Sequence, residues 1–315
     1  MSGRLTSEKL KILAMGTMFL DHAAAAIIFG SGLNETNPLM EYIGIAMRLV
    51  GRMAFPLYAF LLVQGFLWTR DWSRYVTRMV LFALISEVPF NLVISGEVWY
   101  SRTQNTIVTL IIGLICMRML ETLDRQFELT PGFVGVTVRP EAGGELAVSE
   151  IGGLSATPEA GGELSTPDFG GRRSCKEKNG RKRRDSEEER YAGTDGVGAG
   201  GKILGVALGI WTAAAAMFAA ELMRTDYGAL GVLLVVVLYV FRHRPSELVV
   251  AGCLAAALIY GFGLEVLFAW IAFFFISRYN GERGRKLGLM PYVFYPMHLL
   301  VVWLAGAMIR EVLGM

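Results

Sequence analysis

The sequence predicts an all-α polytopic membrane protein, with about nine transmembrane helices in one bundle, the N-terminus inside and the C-terminus outside. Three observations carry this reading. Of the 315 residues 53% are hydrophobic and only 18% charged, with a mean hydropathy of +0.45. An ordinary soluble domain has about 25% charged residues, so a soluble chain this apolar would lack the polar surface to cover itself. Apolar runs long enough to cross a bilayer, about 20 residues at 1.5 Å each, recur along the chain. These runs are continuously apolar rather than alternating, which argues against a transmembrane β-barrel.

The runs follow in order. The first, 10–29, comes after Arg4, Lys9 and Lys11 and ends in four alanines from Ala23. That resembles a secretory signal, but Asp21 and His22 interrupt it and further spans follow, so it is read as a helix of the mature protein. The next three cover 43–67, 75–94 and 104–123. After a polar stretch come 203–222, 227–241, 247–260, 263–277 and 291–309. The runs 247–260 and 263–277 are short. They form either one long kinked segment or a tight hairpin broken at Gly261-Phe262-Gly263. Residues 1–124 and 203–315 are expected to form one bundle of four plus five helices.

The intervening residues 125–202 are different material. The heptapeptide Pro140 to Leu146 recurs as Pro158 to Leu164, and the run Arg181-Lys182-Arg183-Arg184 precedes Glu187-Glu188-Glu189. Gly, Pro, Ser and charge dominate, so this segment is expected to be a disordered, low-complexity cytoplasmic insertion. Its basic cluster is suited to anionic lipid headgroups, which makes membrane lipid an expected partner. The net charge of +2 gives no electrostatic case for nucleic acid, and none is expected. Cys116, Cys175 and Cys253 lack metal-ligand spacing, so neither a metal nor a disulfide framework is expected.

Lys and Arg set the orientation. The N-terminus, the loop with Arg70 and Arg74, the insertion, Arg242-His243-Arg244 and the loop with Arg278, Arg283, Arg285 and Lys286 are basic, and the alternate loops are poor in cations. Nine helices with the N-terminus inside satisfy every loop; eight would put the C-terminus inside.

Ionisable groups in a bilayer cost about 2.5–3.5 kcal/mol on insertion scales and usually mark function. In this chain they are Asp21 and His22 in span one, Arg48 and Arg52 on one face of span two, Glu87 in span three and His298 in span nine, with Gln104, Asn105, Asp226 and Tyr227 at the ends of other spans. At 1.5 Å per residue, His22, Arg52 and Glu87 fall at about one depth, with His298 nearer the inner side. Such a layer is either a set of charge pairs locking helices together, a proton relay of the kind transporters use, or a reaction site.

At these residues the sequence resembles the TraX family, membrane proteins linked to N-terminal acetylation of conjugative pilin. The matching blocks include Met18-Phe19-Leu20-Asp21-His22, Arg48-Leu49-Val50-Gly51-Arg52-Met53-Ala54-Phe55-Pro56 and Ser86-Glu87-Val88-Pro89-Phe90. Gln104-Asn105, Asp226-Tyr227-Gly228, Tyr279-Asn280-Gly281-Glu282-Arg283-Gly284 and Tyr295-Pro296-Met297-His298-Leu299 continue the match. The family is distantly similar to multi-helix acyl-CoA-dependent acyltransferases.

The resemblance implies a multi-pass protein of the bacterial cytoplasmic membrane that moves an acetyl group from cytoplasmic acetyl-CoA to an acceptor at the outer side. That acceptor is a pilin-like peptide amine or the hydroxyl of a glycan. His22 would be the general base, because a neutral imidazole suits proton removal near pH 7, although a covalent acetyl-histidine route stays open. Arg48 or Arg52 would stabilise the oxyanion. Adjacent helical residues point about 100° apart, so Asp21 is expected to hold an arginine and Glu87 to orient His22, with His298 a further catalytic candidate. Gln104, Asn105, Asp226 and Tyr227 are expected to meet the acceptor. Arg74, Arg78, Asn280, Arg283 and Arg285 are expected to bind the CoA phosphates, since guanidinium pairs well with phosphate. A proton-coupled transporter and a non-catalytic partner of a secretion or conjugation apparatus are the alternatives.

Overall fold

The computed structural model describes residues 5–129 and 197–314. Every regular element among them is helical. In chain order these are α1 (Ser7–Ala23), a π-helical turn (Ala24–Phe29), α2 (Leu33–Thr36), α3 (Pro38–Gly51), α4 (Ala54–Trp68), α5 (Trp72–Ser95) and α6 (Thr106–Phe127). Then follow α7 (Ala199–Leu222), α8 (Gly228–Val240), α9 (Pro245–Tyr260), α10 (Leu264–Ser277) and α11 (Met290–Leu313). The chain divides into two compact units, one joining Met1–Leu120 to Gly209–Met315 and the other Glu121–Leu208. In the second unit the described residues are the last turns of α6, with an Arg125–Glu121 pair at 2.6 Å, and the start of α7. Residues 130–196 of the expected insertion lie outside the described residues.

The helix starts are written in the sequence. Thr6 accepts from the Lys9 amide at the head of α1, Asn37 from the Leu39 amide beside Pro38, and Asp71 from the Arg74 amide. Each satisfies an otherwise orphaned N–H. α5 ends at Gly96 in a left-handed conformation (φ 74°), where a side chain would be strained.

Six of the helical stretches are long and apolar enough to cross a membrane: Ser7–Phe29, Pro38–Trp68, Trp72–Ser95, Thr106–Phe127, Ala199–Leu222 and Met290–Leu313. The other three expected spans are α8, α9 and α10, of 13, 16 and 14 residues. At about 20–24 Å each, they fall short of a hydrocarbon core of about 30 Å. Among the described residues the nine expected spans are thus six helices long enough to cross and three short apolar ones, of which α9 and α10 were already expected to be short. α9 and α10 form the tight hairpin, turning at Gly261 (φ 70°), with the Trp270 indole donating to the Cys253 carbonyl at 2.8 Å. α8 is largely enclosed. Its Val232, Leu234, Val235 and Leu238 have no exposure, and it packs on α4 through Phe66 and Tyr239. By contrast α7 leaves Ile210, Trp211, Phe218 and Leu222 exposed, the surface of a helix that faces hydrocarbon.

Span two is not a single helix. It starts at Pro38 and breaks between α3 and α4, where the Arg52 and Met53 amides bond back only three residues, to the Leu49 and Val50 carbonyls. Pro56 accounts for the break. It has no N–H to give the Arg52 carbonyl, and its ring would crowd that carbonyl in a continuous helix. Arg52 thus sits at a joint rather than on the regular face of α3. A second irregularity follows α1, where the Gly30 amide reaches back five residues to the Ala25 carbonyl at 2.8 Å. α11 crosses this π-helical turn at Gly306, and a Cβ there would run into the Ala26 carbonyl oxygen.

This close approach gives a stability test. Gly306→Ala should cost about 1–3 kcal/mol, the usual penalty for overpacking, read as a lower melting temperature of the purified protein in detergent. Gly16→Ala, where an added Cβ meets nothing within 4 Å, should melt at or above the wild-type temperature.

Candidate functional site

His22 lies in the last turn of α1, just before the π-helical turn, and His298 lies in the middle of α11. Their side chains meet, with His22 Nδ1 2.7 Å from His298 Nε2. This corrects the expectation that His298 lies at a different depth. α11 begins at Met290, beyond the loop that follows α10, so counting residues from its first turn misplaces it along the bundle. His298 Nδ1 in turn lies 2.8 Å from the Phe294 carbonyl oxygen. The Phe294 ring stacks on the His298 imidazole at 4.7 Å and 8°, and Tyr295 stands edge-on to both imidazoles. Both histidines are buried.

Asp21 points away from His22, as helix geometry requires, and accepts from Arg48 Nη1 at 2.8 Å. Arg52 Nη2 lies 4.0 Å from the other carboxylate oxygen. That oxygen, Oδ1, and Arg52 Nε are both buried without a hydrogen-bond partner. The carboxylate fits because residue 51 is glycine. A Cβ at Gly51 would run into the Asp21 side chain. Arg52 also lies over the Tyr260 ring at 5.8 Å, and Arg48 and Arg52 are both within electrostatic reach of His22.

Glu87 does not orient His22. Its Oε2 accepts from the Asn105 side-chain amide at 2.6 Å, and His298 occupies the place beside His22 that Glu87 was expected to take. Asn105 also donates to the Ala83 carbonyl at 2.9 Å and accepts from the Ile107 amide at 3.0 Å. It is wholly buried. Asn105 is thus a helix cap tied to α5, with no face open to an acceptor. Gln104 pairs through its backbone, donating to the Arg224 carbonyl at 2.9 Å and accepting from the Asp226 amide at 3.0 Å. Asp226 Oδ2 accepts from the Thr106 hydroxyl at 2.6 Å, and its side chain remains exposed. Tyr227 stacks on Phe55 at 3.6 Å and 5°.

A cavity of about 610 Å³ runs into the bundle beside these groups. Its mouth carries Lys11, Arg74, Arg78, Arg283, Arg285 and Lys286, with Asp71 paired to Arg74 at 2.8 Å; deeper in, it is lined by Met18, Tyr58, Ile107, Leu110, Thr106 and Tyr295. Along α1 the lining stops at Met18, one turn before His22, and along α11 at Tyr295, three residues before His298. The Tyr58 hydroxyl is buried with no partner.

The loop after α10 positions the mouth. The Ser7 and Glu8 amides donate to the Glu282 and Arg283 carbonyls, and the Arg285 amide donates to Glu8 Oε2 at 2.7 Å. Arg283 packs over Trp68 at 4.8 Å and donates to its carbonyl. Asn280, expected with the phosphate binders, does not line the cavity; its side chain bonds Glu282 within the turn. Beside it, burial pushes the Tyr279 phenol above its usual range, with Arg283 pulling the other way.

A family model described as TraX protein matches residues 6–138 and 201–305. The chain belongs to the TraX family. The match takes in His22, the Arg48–Arg52 joint, the basic mouth and His298. Among curated proteins, the Dichelobacter nodosus protein named "Probable fimbrial assembly protein FimC, serogroup H1" is 29% identical over 117 residues, 35% of this chain and 44% of the relative. The chain thus spans less than half the length of that relative. No solved structure matches it.

Sequence reasoning placed His22, Asp21, Arg48 and Arg52 together. It did not find Tyr58, Tyr295 and Thr106 on the inner cavity wall, or Lys11 and Lys286 at its mouth. Tyr and Thr in a span carry no charge signal, and the two lysines read as topology markers.

The cap and the ion pair can be told apart by substitution. Asn105→Ala removes three side-chain hydrogen bonds, two of them buried, and leaves Glu87 only the longer bond from the residue 105 amide at 3.4 Å, so it should lower stability by about 1–3 kcal/mol, seen as reduced membrane abundance and melting temperature. Asp21→Asn keeps the shape but removes the carboxylate charge that Arg48 and Arg52 share. Breaking a fully buried pair costs about 3–5 kcal/mol, and the partial exposure of Arg48 should hold the loss below that range.

Proposed function

We propose that this TraX-family protein is a multi-pass acyltransferase of the bacterial cytoplasmic membrane that takes an acetyl group from acetyl-CoA. The observation that carries this reading is the cavity. Six cations ring its mouth, its interior is apolar and aromatic, and it closes one turn short of His22 on α1. A ligand with phosphates at one end and a thin thioester arm at the other has that distribution of charge. Arg74, Arg78, Arg283 and Arg285, with Lys11 and Lys286, would hold the phosphates, and the arm would pass Tyr292 and Tyr58 toward Tyr295.

At the inner end, His22 takes the proton from the acceptor amine or hydroxyl as it attacks the acetyl carbon. Arg52 is the better candidate than Arg48 to meet the oxyanion, because Asp21 engages Arg48 more closely and Arg52 Nε is unpartnered. Thr106 lines the cavity and bonds the exposed Asp226, which offers the acceptor an approach from the opposite end of the bundle. The acceptor class is a pilin-like peptide N-terminus or a glycan hydroxyl. The name of the fimbrial relative favours a pilus-linked substrate, and it also keeps in view a non-catalytic partner of an assembly apparatus. In this reading the basic mouth faces the cytoplasm, the N-terminus lies inside and the C-terminus outside.

Purified protein in lipid nanodiscs, given acetyl-CoA and a pilin N-terminal peptide, should release CoA thiol and add one acetyl group to the peptide by mass. His22→Ala should lower this transfer by about 10²–10⁴-fold, the scale for losing a general base, measured below the melting temperature of the variant, which should fall because His298 loses its buried partner. Arg78→Ala and Arg285→Ala should raise the acetyl-CoA KM more than they lower kcat. Transport of protons without transfer, or no turnover together with copurification of pilus components, would replace the enzymatic reading. A cysteine added after Met315 should react with an impermeant maleimide from outside intact cells; labelling only after lysis would reverse the orientation.

A further inference from the structure

We propose that His298 is a positioning residue that fixes the tautomer of His22, so that the Nε2 lone pair of His22 is the reacting base. The chain of contacts decides the proton positions. The Phe294 carbonyl oxygen can only accept, so His298 Nδ1, at 2.8 Å, carries the hydrogen of that bond. In a neutral imidazole the other nitrogen then bears the lone pair. His298 Nε2 therefore accepts, and His22 Nδ1, at 2.7 Å, donates. The remaining nitrogen of His22, Nε2, is left unprotonated.

The fold holds this chain of contacts in place. Phe294 stacks on His298 and keeps its ring plane fixed. The groups facing His22 are His298 and Tyr295 from α11, with Arg48 and Arg52 within electrostatic reach from α3 and the joint before α4. The relay requires both imidazoles to be neutral in the resting state.

The catalytic consequence rests on the acyltransferase reading. The acceptor's lone pair attacks the acetyl carbon while His22 Nε2 takes its N–H or O–H proton. The C–S bond then breaks, and the thiolate leaves with that proton from His22 Nε2. Through both steps the His22 Nδ1–H stays bonded to His298, which keeps the ring oriented and shares the positive charge of the transient imidazolium. A carboxylate fills this orienting role in hydrolase triads. In this protein a second histidine fills it, itself set by a backbone carbonyl.

The chain has three histidines, His22, His243 and His298, so ¹⁵N-histidine NMR of the full-length protein in detergent reads each ring, with assignment by single His→Ala variants. The expected wild-type spectrum near neutral pH shows Nδ1–H and bare Nε2 for both His22 and His298. His298→Leu should release His22 to the Nε2–H form that free imidazole side chains prefer in water. His298→Gln should keep the Nδ1–H form, because a Gln oxygen accepts from His22. A wild-type His22 protonated at Nε2, or a His22 spectrum unmoved in His298→Leu, overturns the proposal; if the leucine variant does not fold, the wild-type spectrum decides.

In the nanodisc assay His298→Leu should lower transfer by about 10²–10⁴-fold, and His298→Gln should recover it by about tenfold or more, the worth of one hydrogen bond. Equal activity of the two variants overturns the relay. The expected tautomers in a wild-type protein that does not turn over acetyl-CoA would leave the His22–His298 geometry standing and discard the acyltransferase reading.

Discussion

In an apolar bundle a polar side chain has no water to turn to, so a charged or amide side chain that its own helix cannot satisfy is best met by another helix. Three of the polar contacts in this protein tie two elements together. Asp21 joins α1 to α3 through Arg48, His22 joins α1 to α11 through His298, and Asn105 joins the head of α6 to α5 through Glu87. Apolar contacts between these helices are nearly as good with lipid as with each other, so they do not fix register. The polar pairs do, because sliding any one helix by a turn would leave a charge or an imidazole unpaired in hydrocarbon.

Breaks in the regular helix lie beside two of these pairs. The joint at Arg52 comes from Pro56, and it lies beside Asp21, whose Oδ1 is 4.0 Å from Arg52 Nη2. The missing side chain at Gly51 leaves room for the carboxylate, and that at Gly306 lets α11 approach the π-helical turn that follows His22. Breaks in backbone regularity are tolerated in a membrane only where the protein itself covers them. In this bundle they lie against α1 and α11, the two helices that present the histidines.

The chemistry divides along the bundle. One end gathers cations from α1, α5 and the loop after α10, and that loop is sewn to the first residues of α1 by backbone hydrogen bonds. The other end brings Gln104, Thr106 and Asp226 together across the entrances of α6 and α8. The cavity opens among the cations and reaches Thr106 and Tyr295, so the two chemistries approach one another beside the paired histidines. A single enclosed site of this kind would let a charged donor and a separate acceptor react without either crossing the membrane.

Composition and continuous apolar runs were enough to establish a helical membrane bundle, because both follow from the cost of exposing apolar surface to water and backbone to lipid. The cost of burying charge likewise marked Asp21, His22, Arg48 and Arg52 as one group. Pairing was not legible. Glu87 was the expected neighbour of His22 and His298 was placed nearer the inner side, and only the packing of α11 against α1 put His298 there instead. Nor did the sequence show that Asn105 is consumed as a cap, that Asn280 serves its own turn, or that Tyr58, Tyr295 and Lys11 line one cavity. Hydropathy and residue counting measure position along each helix separately. Which faces meet, and at what relative height, depends on where the loops and helix breaks set each helix, and that is decided only when all of them pack.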